Sequence, residues 1–157
     1  MLTEQTKKKL DDLISRYPTK KAALLPSLYI GQEENDGWLP REAMKDIAEY
    51  LDLAPAYVEG VATFYTMYNK KPVGKYHLEV CHNIVCMVLG SDELTEHIGK
   101  KLGIDAGETT SDKKFTLNHA ECLGACCNAP CMMVGDTYYE DLTPEKVDAI
   151  IDQLAKS

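Results

Sequence analysis

Six cysteines, all in the second half of the chain, constrain this sequence more than any other feature. Cys81 and Cys86 make a C-x4-C pair, and Cys122 and Cys126 make a C-x3-C pair. The intervening segment, 87–121, is 35 residues long. Tyr76 to Cys81 and Phe115 to Ala120 have strand character, so each pair falls in a loop at a strand end. Two such loops side by side bring four sulfur atoms to one end of a sheet. Thiolates are soft ligands, and four of them suit an iron–sulfur cluster or zinc. A two-iron cluster has two metals, each gripped by two thiolates, and so fits two separated pairs. Zinc sites also use C-x2-4-C spacing, so structural zinc stands as the alternative. Gly124, inside the second pair, suits a loop whose backbone approaches sulfur. The absence of C-x-x-C argues against a thioredoxin-type dithiol.

The surrounding composition narrows the class. The chain has 157 residues, with 17 basic and 25 acidic side chains and a net charge of −8. Residues 1–75 carry 11 of each sign, whereas residues 76–157 carry 6 basic and 14 acidic. The whole excess lies with the cysteines, which points to two units with different tasks. An acidic chain is a poor partner for nucleic acid. No apolar stretch approaches the roughly 20 residues that span a bilayer. The opening MLTEQTKKKL is too polar for a signal peptide. The expected location is the cytoplasm, where disulfides are rare, so a stapled fold is not expected.

The first half reads as four short helices. Thr3 is placed to cap the first, whose apolar residues are Leu10, Leu13, Ile14 and Tyr17, with Pro18 as the stop. Thr19 is placed to cap a second bearing Ala22, Leu24, Leu25, Leu28 and Tyr29, which Pro26 is expected to kink. Asn35-Asp36-Gly37 signals a turn. A third helix follows Pro40, with Ala43, Ile47, Tyr50 and Leu51 inward. Pro55 suits the first turn of a fourth carrying Val58, Val61, Ala62 and Tyr65. Asn69 to Lys75 is polar and reads as a linker.

The second half changes period. After the strand ending at Cys81, Ser91 is placed to cap a helix with Leu94, Ile98 and Leu102 on one face, ended by Gly103. After the strand ending at Ala120, Met132 to Val134 and Thr137 to Tyr139 flank a Gly135-Asp136 turn. Thr143-Pro144-Glu145 opens a last helix with Val147, Ile150, Ile151 and Leu154 inward. The order strand, helix, strand, hairpin, helix describes a small α/β domain.

Three runs carry a family resemblance: Val58-Glu59-Gly60-Val61-Ala62-Thr63-Phe64-Tyr65, Val80-Cys81 through Cys86, and Glu121-Cys122-Leu123-Gly124-Ala125-Cys126 with Ala129-Pro130. In them the chain resembles the small [2Fe-2S] subunits, the E subunits, of bacterial NADH-quinone oxidoreductase (respiratory complex I). Soluble NAD-dependent hydrogenases and formate dehydrogenases use subunits of the same family. The resemblance runs nearly end to end. It implies an α/β chain with a short N-terminal helical bundle, residues 1–72, followed by a thioredoxin-like ferredoxin domain, residues 73–157. It also implies one [2Fe-2S] cluster held by Cys81, Cys86, Cys122 and Cys126. The implied partner is a flavoprotein subunit carrying FMN, the NADH site and a [4Fe-4S] cluster, with a larger iron–sulfur subunit beyond it. The chain itself has no G-x-G-x-x-G and no P-loop, so it is not expected to bind a nucleotide or to be catalytic alone.

Other residues have plainer readings. Cys127 and Cys131 depart from the family pattern and read as small buried hydrophobes. His82 reads as a solvent-facing loop residue, and His77, His97 and His119 as ordinary strand or helix positions. Tyr57, Phe64, Tyr65, Met67 and Tyr68 form an aromatic group suited to core packing or to docking of a partner. Lys7 to Lys9 read as a solvated helix face.

Overall fold

The computed structural model describes residues 2–156. Residues 1 and 157, the outer limits of the two expected segments, lie outside it. The chain divides into two compact units, Met1–Pro72 and Val73–Ser157.

The first unit is helical. Helix α1, Glu4–Ile14, starts where Thr3 accepts a hydrogen bond from the Thr6 N–H at 3.1 Å. Thr19 does cap the next element, but that element is a 3-10 turn, Lys20–Ala23, and α2 begins only at Leu24 and runs to Glu33. Pro26 is therefore the third residue of α2, in the first turn, where a backbone N–H has no intrahelical partner to lose. The expected kink has no cause there. Helix α3, Arg41–Leu51, ends at Asp52 in the left-handed conformation (φ 57°). Helix α4, Pro55–Phe64, has its proline in the first turn as the sequence predicts. Leu28, Leu39, Ile47, Leu51, Val58 and Tyr68 are wholly or almost wholly buried in the core between them. Tyr68 also donates a hydrogen bond to the Leu25 carbonyl at 2.8 Å.

The second unit is a four-stranded sheet with helices. In chain order it comprises β1 (Tyr76–Cys81), α5 (Ile84–Val88), α6 (Ser91–Leu102), β2 (Phe115–Ala120), β3 (Met132–Val134), β4 (Thr137–Tyr139) and α7 (Pro144–Lys156). The spatial order is β2-β1-β3-β4, with β1 and β2 parallel and the other pairs antiparallel. Leu78, Val80, Ile98, Leu117, Met132 and Val147 are fully buried and centre the core. The helix expected to be capped by Ser91 is instead preceded by Gly90 at φ 93°, so Ser91 is its first helical residue and is buried. Close packing explains Gly99: a Cβ there would lie 2.8 Å from the Ile104 carbonyl oxygen. No helix among the described residues is long and apolar enough to cross a membrane.

A candidate metal centre of cysteine thiols

Strand pairing decides where the thiols go. Parallel register sets Tyr76 opposite Phe115 and Cys81 opposite Ala120, so β1 and β2 end together at one side of the sheet. One step further, the His82 N–H donates to the Ala120 carbonyl at 3.0 Å. The loops carrying Cys86 and Cys122 thus leave the sheet side by side. A third approach comes from the other neighbour of β1. Val80 lies opposite Met132 in β3, so the residue entering β3 is beside Cys81. That residue is Cys131, and its carbonyl accepts the Cys81 N–H at 3.1 Å.

The six thiols fall into two groups. The sulfurs of Cys81, Cys86 and Cys131 all lie within 4.8 Å of one another, with Cys86 and Cys131 3.9 Å apart. All three residues are buried, and Leu123, Ala125 and Ala129 pack around them. Cys122, Cys126 and Cys127 are exposed. Cys131 is thus buried, as its sequence reading expects, whereas Cys127 is not. Cys127 sits in a short 3-10 turn, Cys126–Asn128, with no buried residue.

Backbone donors tie the groups together. The N–H groups of Asn83 and Leu123 both point at the Cys81 sulfur, and Leu123 lies between Cys122 and Cys126. Burial pushes the Cys81 thiol up, but these donors and the neighbouring thiols outweigh it and leave the thiol below its ordinary value. Burial, then the adjoining Cys81, raises Cys86. Burial, then Cys86, pushes Cys131 up to about 12. Burial and the charge of nearby Cys122 raise Cys126, with smaller contributions from Cys81 and Cys127. Gly124 adopts φ 77°, and a Cβ there would meet nothing within 4 Å. Its glycine therefore serves a left-handed turn.

The surroundings are less simple than sequence implies. His82 is no free loop residue: its ring packs on His119 with centroids 4.8 Å apart, and Nε2 lies 3.5 Å from Glu121 Oε2. Helix α5 has no counterpart in the sequence reading. Its signal is the unbroken apolar run Ile84 to Leu89, in which every residue but Cys86 is exposed. In the first unit the aromatic group divides: Tyr68 is core, while Phe64, Tyr65 and Tyr57 are exposed.

Soft sulfur donors, amides directed at sulfur and a buried floor with an exposed lip are the features of a candidate thiolate metal centre built on a small four-stranded sheet. The model of the thioredoxin-like [2Fe-2S] ferredoxin family matches residues 10–155. The chain belongs to that family. It is 49% identical over 146 residues to the E subunit of NADH-quinone oxidoreductase from Rickettsia bellii, a match covering 92% of this chain and 87% of that protein. The same-named protein of Rickettsia felis is 48% identical over 145 residues, 91% of this chain and 87% of the other. Among solved structures, an air-oxidised NAD+-reducing [NiFe]-hydrogenase chain superposes with a TM-score of 0.72 at 21% identity. That match covers 85% of this chain but only 23% of the hydrogenase chain, and it speaks to fold alone. The donor set fits the family's cluster: two thiol-bearing loops leave adjacent strands, and the Leu123 N–H of one reaches the Cys81 sulfur of the other.

Proposed function

We propose that this chain is the one-electron carrier of an NADH-oxidising complex, the counterpart of the E subunit in NADH-quinone oxidoreductase. Cys81 at the end of β1, Cys86 in α5, and Cys122 and Cys126 in the segment after β2 hold the cluster. Residues 73–157 form the carrier domain, and residues 1–72 form a separate helical segment. The observation that carries this reading is the shared exit of the two loops from β1 and β2. The 49% identity over 92% of the chain to an E subunit supports the quinone-reducing complex.

When bound, a [2Fe-2S] cluster supplies a single-electron couple, and thiolate-only examples of the plant type lie near about −400 mV. The protein tunes that couple through its own groups. The Asn83 and Leu123 amides set partial positive charge beside the Cys81 sulfur and stabilise added electron density there. The 14 acidic against 6 basic side chains of residues 76–157 oppose it, screened beyond a Debye length of about 8 Å. A low potential suits exchange with a flavin, which accepts a hydride and passes electrons on singly. The flavin, the NADH site and a [4Fe-4S] cluster belong to a partner subunit, and the complex works at the cytoplasmic side of the membrane.

Anaerobic purification tests the reading. The expected product is red-brown, with about two irons and two sulfides per chain, and it co-purifies with a flavoprotein when the two are expressed together. A chain that stays colourless after anaerobic reconstitution with iron and sulfide in the absence of zinc overturns it.

A further inference from the structure

Cys131 has a position that an apolar filler does not require. Its sulfur is 3.9 Å from that of Cys86, and the three sulfurs of Cys81, Cys86 and Cys131 lie within 4.8 Å of one another. Two thiolates on one tetrahedral metal with bonds of about 2.3 Å sit roughly 3.8 Å apart. The Cys86–Cys131 spacing therefore already matches, and the other two pairs need to close by no more than about 1 Å to seat an ion. The backbone holds it there: the Cys131 carbonyl accepts from the Cys81 N–H at 3.1 Å, and the Cys131 N–H faces the Cys86 sulfur. The exposed cysteines are not needed for this arrangement.

We propose that Cys81, Cys86 and Cys131 form a buried three-thiolate site that binds one thiophilic divalent ion of the zinc type, in competition with the iron–sulfur cluster. On binding, three sulfur–metal bonds form, the thiol protons pass to water, and nothing is oxidised or reduced. A coordinating thiol loses its proton to the metal's charge, so the upward push of burial on Cys131 is no obstacle. Competition arises because Cys81 and Cys86 serve both groups, a step that rests on the four-cysteine cluster proposed for this chain. Ion binding itself does not rest on it.

The test uses the full chain with Cys122, Cys126 and Cys127 replaced together by Ser, substitutions confined to exposed positions. Anaerobic titration with Co2+ is expected to give one equivalent with intense near-ultraviolet thiolate-to-cobalt absorption. Adding Cys131→Ala or Cys131→Val is expected to weaken binding by about 100-fold or more, since even outer-shell losses cost 10- to 100-fold. Circular dichroism confirms that each variant is folded. No thiolate-to-cobalt absorption in the triple variant, or equal affinity with and without Cys131, overturns the site. In the chain with all six cysteines, one equivalent of Zn2+ added before iron and sulfide is expected to suppress the cluster's visible absorption, and to suppress it less in Cys131→Val. Unsuppressed assembly overturns the competition. Failure of the cluster to form even without zinc counts against the cluster reading and leaves the cobalt result standing.

Discussion

Cys81 and Ala120 stand opposite one another on the last rung of the parallel β1–β2 ladder. Two residues past Ala120 the chain reaches Cys122, and five past Cys81 it reaches Cys86. Thiols far apart in sequence are thus neighbours because two strands stop at the same level.

The first prediction separates neighbouring thiols. Serine at position 81, 86, 122 or 126, one at a time, is expected to abolish or strongly alter the visible absorption and the paramagnetic signal. Cys127→Ser is expected to leave both unchanged, because Cys127, although exposed in the same turn as Cys126, is not among the four proposed ligands. Iron content and low-temperature spectra of the reduced protein decide the matter.

A second prediction concerns Gly99. In an ordinary helix, Gly→Ala gains up to about 1 kcal/mol. Here the added Cβ would lie 2.8 Å from the Ile104 carbonyl oxygen, a backbone atom that yields only if the loop shifts. Overpacking of that kind costs about 1–3 kcal/mol and wins. Thermal denaturation should find Gly99→Ala less stable than the parent, whereas Gly60→Ala, which meets nothing within 4 Å, should not be destabilised.

His77 makes stability depend on pH. Burial holds its imidazole below the ordinary value, with Glu79 pulling weakly the other way. The Asn118 amide lies 2.7 Å from His77 Nε2, a contact the neutral ring accepts and the protonated ring loses. The unfolded chain therefore takes up this proton first as pH falls. Stability from this group is complete above the unfolded value of about 6.5 and declines as pH drops through the folded one. Denaturant titrations at several pH values should show that decline, and His77→Gln should flatten it.

Removal of the first helix cap gives a smaller effect. Thr3 Oγ1 accepts the Thr6 N–H at 3.1 Å. Thr3→Ala should cost about 1 kcal/mol, and Thr3→Ser little, when urea midpoints are compared.

How much of the fold and the centre was readable from sequence depended on whether the signal was local. Helices α1, α3, α4 and α7 follow from apolar spacing, caps and prolines, all set within a few residues. Pro26 misled because a 3-10 turn uses up Thr19 and shifts the start of α2 to Leu24. Ser91 misled because Gly90, at positive φ, already makes the turn. Helix α5 escaped because five apolar residues have no readable period. The exits of the two cysteine pairs followed from strand ends. The convergence of Cys131 did not, since it depends on β3 pairing with the far side of β1, a tertiary choice that no spacing encodes.

That β1 has a partner along each edge has a consequence for durability. Its amides are bonded into the middle of the sheet, and such strands exchange with solvent only when the whole domain opens. The inner wall of the centre is therefore as long-lived as the domain itself. For the cluster proposed here, attack by oxygen or chelators is expected to begin at the outer lip, where Cys122 and Cys126 are exposed.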